Sequence, residues 1–322
     1  MIAALFLFLL APPAPAEATV AAAAQVAPAP LSLGTTLRKD DLRVGAVAYR
    51  LAVAGGAVCP RTIPQTGLLF HHLGEYLPRD RPLMVSRYGL DRGPGVLAVV
   101  AGSPADQAGL VAGDVLLSVN GAPFPSPVAI AAEHDSKKMR ALAEASEAQL
   151  EKALAQGPAA LRVLRDGRER MLGLGSLPGC EARVRLARSS QVNAFDTGRK
   201  VVMTTAMLAF VANDDELAVV LGHEMSHSIL HHPVMSEGEG ILAGFGIGAG
   251  AIWRREAQAD RFGLRLMAAA GYDMGAVIPF WRRYLLKYDG PQLFRSHPSL
   301  EARIRMANEE IAAIRAGEAW RP

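Results

Sequence analysis

The sequence predicts an α+β protein made of a helical domain with a few strands and a smaller, β-rich domain. Two observations support this prediction. Segments beginning near residues 213 and 256 repeat apolar residues at one-turn spacing, which is typical of helices. Residues 78–176 instead contain short apolar runs between glycine turns, which is typical of strands. The length of 322 residues is enough for a domain of about 170 residues and another of about 100.

The N-terminal residues 1–18 are predicted to be a signal peptide. An apolar run from Met1 to Leu10 is followed by two Ala-x-Ala sequences typical of cleavage sites, although no Lys or Arg stands at its start. Residues 19–35 are rich in Ala and Pro and are predicted to form a flexible linker. The apolar run, like a second one over residues 240–253, is too short to span a membrane. We therefore expect a periplasmic or otherwise exported protein without a spanning helix, which leaves membrane contact open.

The β-rich domain is predicted from its turns. Pro104 opens a short helix, Val115–Val119 is predicted to be a strand, and Asn120-Gly121 forms a hairpin-type turn after it. Two further strands over residues 161–174 form a terminal hairpin. Between these strands, residues 137–156 are rich in Ala, Glu and Leu and are predicted to be helical.

The stretch from Gly102 to Gly121 resembles a PDZ domain. This resemblance implies that the domain binds peptides or chain ends by strand addition. Two segments are candidates for the binding loop, Tyr88-Gly89-Leu90 and Gly93-Pro94-Gly95. The alternative is a module that only packs against the rest of the chain.

A metal-binding helix is predicted to begin near Asn213. Asn213 and Glu216 form an N-capping pattern, and an apolar run follows them. His223 and His227 lie four residues apart, so their imidazoles share one face of the helix and can bind one metal ion. Glu224 lies beside the open coordination position, where it can take a proton from bound water.

The second helix supplies two acids, Glu256 and Asp260, that lie one turn apart. A carboxylate from a second helix is the usual third zinc ligand when the first two are histidines of this pattern, so Glu256 is predicted to complete the site. Asp260 is predicted to accept a hydrogen bond from the non-ligating nitrogen of one histidine. The alternative is an exposed helix whose acids only pair with neighbouring arginines such as Arg255 and Arg261.

Four motifs together resemble the HtpX-like and BepA-like zinc metallopeptidases, which also include CaaX-processing membrane proteases. They are HExxH at His223, ExxAD at Glu256, NAF at Asn193, and HPxxxxRI at His297, and they fall within residues 181–310. The resemblance implies a zincin-like peptidase domain with one zinc ion per chain. It assigns the zinc to His223, His227 and Glu256 and makes Glu224 the general base.

The same resemblance implies a substrate-binding edge. Asn193, Ala194 and Phe195 precede a strand over residues 200–205, whose main chain can pair with an extended peptide. The segment from Asp196 to Arg199 departs from the Pro-Gly-Gly turn that is common in the family. The geometry of this edge is therefore the part of the site that the resemblance predicts least directly.

Other histidines and one arginine are candidates near the cleft. His297 or Arg303 is expected to bind the oxyanion or to shield the zinc, unless His297 only caps the chain before Pro298. His231 and His232 follow the metal-binding helix, where histidines interact favourably with the helix dipole and need no metal.

The resemblance also makes the β-rich domain an insertion. A helical stretch over residues 36–77 precedes it and residues 177–322 follow it, so the peptidase domain is predicted to be discontinuous. Cys59 and Cys180 flank the insertion and are the two cysteines of the chain. In an oxidising compartment they could form a disulfide that ties both ends of the insertion to the core, and free buried thiols are the alternative.

These features predict an exported zinc endopeptidase that cleaves unfolded or misassembled envelope proteins, with the PDZ-like domain binding or gating the substrate. The alternative is a periplasmic chaperone or assembly factor in which proteolysis is rare or gated. The net charge of +3 is small and the basic residues are scattered along the chain. Nucleic acid is therefore not an expected partner.

Overall fold

The computed structural model describes residues 33–125, 136–181, 183–198, 200–234, 249–288 and 298–320. The predicted signal peptide, nearly all of the predicted linker, most of the apolar stretch over 240–253, and His297 lie outside these residues. Within the described ranges, none of the helices combines the length and the apolar character that a membrane span requires.

The described residues alternate between helical and strand-rich parts. The helices are α1 Leu33–Ala54, α2 Arg81–Tyr88, α3 Pro104–Gln107, α4 Ser136–Leu154, α5 Thr205–Phe210, α6 Asp214–Ile229, α7 Ala249–Ala269, α8 Val277–Tyr288 and α9 Leu300–Arg315. The strands are β1 Thr62–Gln65, β2 Leu68–His71, β3 Gly95–Val99, β4 Val115–Val119, β5 Ala122–Pro123, β6 Ala159–Arg165, β7 Arg168–Leu174, β8 Leu177–Cys180, β9 Val184–Ala187, β10 Ala194–Asp196 and β11 Val201–Thr204.

These strands form three sheets. The largest has the order β2-β3-β4-β6-β7, with β5 paired to β4. A smaller sheet has the order β10-β11-β9, in which β11 is antiparallel to β10 and parallel to β9. β1 and β8 form a separate antiparallel pair, which we call the neck. At the neck the chain leaves the helical part for the large sheet and later returns.

The buried apolar residues form two cores, and the predicted α+β fold is confirmed. One core joins α1, through Val44 and Leu51, to Leu217 and Leu221 of α6. The other core lies between the large sheet and α4 and contains the fully buried Leu161 of β6. Helix α1 therefore packs with the helical part of the chain, although the large sheet lies between them in sequence.

The structure corrects the prediction that residues 36–77 are helical. α1 begins at Leu33, inside the predicted linker, and ends at Ala54, and β1 and β2 follow it. Gly55 and Gly56 favour the end of the helix, because glycine is a poor helix former. Gly67 then turns the chain between the strands with a φ of 71°. Since β2 pairs with β3, the large sheet begins before residue 78.

A disulfide joins Cys59 to Cys180, whose Cα atoms lie 5.5 Å apart. Cys180 ends β8, where its partner in the neck is Thr62 of β1. The side-chain amide of Gln65 also donates a hydrogen bond to the Cys180 carbonyl, at 2.9 Å. The disulfide therefore closes the base of the insertion across 121 residues of chain.

Helices α6 and α7 approach each other closely at Gly222 and Gly263. A Cβ atom on Gly263 would lie 2.9 Å from the Gly222 carbonyl carbon and 3.0 Å from the His223 amide nitrogen. Both contacts are with backbone, so the helices would have to move apart to admit it. The absence of side chains at this crossing lets polar groups from the two helices meet one turn further along.

Gly263→Ala should therefore lower the free energy of unfolding by about 1–3 kcal/mol, the usual cost of overpacking a core. This loss of stability is expected although Ala has the better helix propensity, which alone would stabilise the helix by about 1 kcal/mol. Gly250→Ala is the matched control in the same helix, because its Cβ would meet only the Arg254 guanidinium, at 3.8 Å. Urea denaturation of both variants measures the effect. Equal free energies of unfolding for the two variants would show that α6 and α7 can move apart without loss of stability.

Candidate metal centre

The metal-binding helix is α6, and its start is fixed by a cap. Asn213 Oδ1 accepts a hydrogen bond from the Glu216 amide at 2.9 Å, as the capping pattern predicts. Glu216 in turn accepts from the Ala212 amide at 2.6 Å and pairs with Arg283 of α8. These contacts fix where the helix begins and thus which residues turn toward α7.

Three donor groups meet between α6 and α7. His223 Nε2 lies 3.3 Å from His227 Nε2 and 3.4 Å from Glu256 Oε2, and His227 Nε2 lies 3.5 Å from Glu256 Oε1. These three residues are the described group that could hold a metal ion. Zinc binds nitrogen ligands at about 2.0–2.1 Å in tetrahedral sites, which places neighbouring donors about 3.3–3.4 Å apart. The donor spacing and the donor types therefore fit zinc.

His223 is held by its second ring nitrogen. Its Nδ1 lies 2.9 Å from Asp260 Oδ1, as predicted for a carboxylate behind the ligand. Asp260 accepts this hydrogen bond when Nδ1 carries the proton, and the lone pair of Nε2 then faces the other two donors. The acids of α7 thus have two different roles, with Glu256 in the donor set and Asp260 behind it.

Arg303, a predicted contact of the oxyanion or shield of the zinc, lies with these acids. Its guanidinium is 2.5 Å from Asp260 Oδ1 and 3.4 Å from Glu256 Oε2. It also stacks on the Trp281 ring, 4.0 Å from the ring centroid. Its side chain is only 3% exposed, so its contacts are with the acids and the ring. Arg303 therefore balances the charge of the acids from behind the donor set.

The electrostatics of the pocket favour a cation beside a neutral imidazole. Burial opposes a charge on His223, but the hydrogen bonds and charges of Asp260 and Glu256 outweigh it and raise the His223 pKa to about 10. That positive charge can be a proton or a metal ion that replaces it. Burial, and after it the charge of the neighbouring His223, lower the pKa of His227 to about 3. His227 is therefore neutral at physiological pH, as a ligand must be.

Glu224 lies in α6 beside the donor set and is partly buried. Burial raises the pKa of its carboxyl group to about 7, with Glu256 and Asp196 adding to the rise. A carboxyl group with this pKa can accept and return a proton near neutral pH, which is what a general base and acid must do.

The predicted substrate edge is strand β10. It contains Ala194 and Phe195, pairs with β11 and is the outer strand of its sheet. Asn193 precedes the strand and is held by Thr204, whose hydroxyl accepts from the Asn193 amide at 3.1 Å. Ser228 of α6 donates a hydrogen bond to Asp196 at 2.7 Å, which ties the strand to the metal-binding helix. The Phe195 side chain is exposed and available to a substrate.

A groove between the large sheet and the helical part of the chain was not predicted from the sequence. A cavity of about 150 Å³ lies between β2 and α4, with α1 and β9 as its far walls. Gly89, from the first candidate loop, instead caps α2, and Gly95, from the second, begins β3 inside the sheet. The Thr66-Gly67 turn before the apolar Leu68–Phe70 is the sequence feature that indicates a strand here, within the stretch predicted to be helical.

Two parts of the chain match models of known protein families. Residues 165–254 and 252–311 match the family model of peptidase family M48. Residues 95–132 match a PDZ domain model. Among solved structures, one match is the crystal structure of the HtrA3 PDZ domain bound to a phage-derived ligand. The alignment covers 36% of this chain and 88% of that chain, with 19% sequence identity and a TM-score of 0.26.

Proposed function

This chain is a metallopeptidase with a peptidase family M48 domain and a PDZ domain, and on that premise we propose that it is an exported zinc endopeptidase that cleaves unfolded or misassembled envelope proteins. The observation that carries the proposal is the triangle of His223, His227 and Glu256 with Glu224 beside it. Export is supported by the predicted signal peptide and by the Cys59–Cys180 disulfide, because disulfides persist in oxidising compartments.

The chain's own residues account for the proton transfers of peptide hydrolysis. His223, His227 and Glu256 would hold the zinc ion, which when bound supplies a Lewis acid that polarises the scissile carbonyl and activates water. Glu224 takes a proton from the attacking water on its carboxylate and donates it to the leaving amine nitrogen. Asp260 keeps the Nδ1 of His223 protonated, so that its Nε2 stays available to the metal.

An extended substrate fits the outer edge of β10. An extended peptide can add to this edge as a further strand and be held by main-chain hydrogen bonds, which do not depend on its sequence. Phe195 then offers an apolar contact to one side chain of the substrate. An unfolded chain can present such an extended segment, whereas a folded protein keeps its strands paired. This difference is the reason for proposing unfolded proteins as substrates.

The PDZ domain is fixed to the same sheet. Arg183, just before β9, pairs with Glu147 and Glu151 of α4, and Arg185 of β9 pairs with Glu147 and Glu75. Strands β9 and β10 belong to the same three-stranded sheet. A chain held in the groove beside β2 would therefore be near the peptidase sheet. We propose that the PDZ domain binds substrates or gates their access to the cleft.

The zinc content tests the proposal most directly. The purified protein should contain about one zinc ion per chain, because the residues that the structure describes contain one set of three ligands, the number that a catalytic zinc takes from the protein. Glu256→Ala should lower the zinc content and abolish cleavage of an unfolded protein, since two histidines alone hold zinc weakly. Metal analysis and casein cleavage, each before and after chelation, are the measurements. A Glu256→Ala protein with full zinc and full activity would remove this residue from the ligand set.

Excision of the insertion tests the role of the PDZ domain. Gln65 and Leu177 are partners across the neck, so replacing residues 66–176 with Asn-Gly would join β1 to β8 as a tight hairpin. We expect cleavage of a small peptide to be largely retained and cleavage of unfolded proteins to fall by about tenfold or more, because remote binding energy is lost. A rise in peptide cleavage would indicate gating. Unchanged rates on both substrates, in a zinc-loaded protein, would leave the domain only a packing role.

A further inference from the structure

His232 makes a contact that the proposed mechanism does not use. After α6 ends, His231 adopts a positive φ of 54° and turns the chain back. The His232 amide then donates to the His227 carbonyl at 2.9 Å. The two rings meet edge to face, with His232 Nδ1 3.1 Å from His227 Nδ1. His231 is exposed, whereas His232 lies against a ligand of the candidate metal centre.

The other nitrogen of His232 faces α7. His232 Nε2 lies 3.2 Å from Oε1 of Gln258. An amide oxygen only accepts hydrogen bonds, so His232 Nε2 carries the proton and its Nδ1 is the acceptor. His227 Nδ1 must then be the donor. This assignment of protons leaves the lone pair of His227 Nε2 free. His227 Nε2 is the atom that lies near His223 and Glu256.

We propose that His232, oriented by Gln258, is a positioning residue that fixes His227 in the ring orientation and tautomer required of a metal ligand. The inference rests on the proposed metal-binding role of His227. The two histidine ligands are then held by different means. Asp260, a charged group paired with Arg303, holds His223, and the neutral pair of His232 and Gln258 holds His227.

A neutral partner for His227 has a physical reason. Glu256 is buried and the Asp260 side chain is only 10% exposed, and Arg303 pairs with both of them. A carboxylate in the place of His232 would put a further negative charge near these two acids, and neighbouring like charges disfavour each other. An imidazole accepts the same hydrogen bond without adding a charge.

The zinc affinity of purified variants tests the inference, measured by competition with a fluorescent chelator. His232→Ala should weaken zinc binding about 10–100-fold, the range found when a partner behind a ligand is removed. His232→Asn should recover most of this loss, because its amide oxygen can occupy the place of the imidazole Nδ1. Gln258→Leu should weaken zinc binding in the same direction, because it removes the oxygen that orients the His232 ring.

His231→Asn is the matched control, since His231 is exposed and Asn tolerates a positive φ. Its zinc affinity should equal that of the wild type. Wild-type zinc affinity in His232→Ala, or an Asn variant as weak as the Ala variant, would overturn the positioning role and leave the proposed function standing. A wild-type protein that binds no zinc would overturn both.

Discussion

Glu224→Gln is expected to keep its zinc ion and to cleave peptides about two to four orders of magnitude more slowly, the range of a general base. The amide has nearly the same shape as the carboxylate but cannot accept and return a proton. The three donor atoms of the centre come from His223, His227 and Glu256, so the metal content should not change. Steady-state cleavage of a small peptide and metal analysis of the same sample measure the two effects.

A matched control is Glu309→Gln, which makes the same change at an exposed carboxylate of α9. It should leave both zinc content and cleavage rate at the wild-type level. If zinc-replete Glu224→Gln cleaved peptides at nearly the wild-type rate, another group would have to act as the base.

Arg303→Met should lower the free energy of unfolding by about 3–5 kcal/mol, the usual effect of removing one partner from a buried ion pair. Arg303 neutralises Asp260 and Glu256, and its replacement by an apolar side chain of similar length leaves both acids buried without it. The loss should be larger after chelation, because bound zinc would itself offset the charge of Glu256. Urea denaturation with and without a chelator measures both values.

The control for this variant is Arg261→Met in α7. Arg261 pairs with Glu309 at 3.3 Å, and both side chains are substantially exposed. Exposed pairs contribute about 0–1 kcal/mol, so this variant should unfold almost as the wild type does. A loss of stability of the same size in both variants would show that Arg303 acts through general packing and not through the buried acids.

The features that the sequence predicted well are those set by local spacing. The start of α6 follows from the Asn213 cap, and the shared face of His223 and His227 follows from the period of the helix. Glu256 and Asp260 could be placed on one face of α7 because one helical turn separates them. Each of these inferences needs only residues within a few positions of one another.

The features that the sequence missed depend on contacts between distant segments. Leu68–His71 was assigned to a helical stretch, because only its pairing with β3 makes it a strand of the large sheet. The contacts of the Arg303 guanidinium with Asp260 and Glu256, more than forty residues earlier, were likewise not predicted. The His232 contact with Gln258 likewise joins the end of α6 to α7 and has no local signature.

The disulfide at the neck has a consequence for how the molecule tolerates damage. Along the backbone, α1 is connected to the rest of the peptidase core only through the inserted domain, although Val44 and Leu51 are part of that core. The Cys59–Cys180 bond provides a second covalent connection that bypasses the insertion. A backbone cut within the insertion, by a neighbouring protease or by the enzyme itself, would leave α1 attached. After reduction the same cut would leave α1 held only by noncovalent packing, so the oxidation state of one bond decides whether a nicked molecule keeps a covalent link to this part of its core.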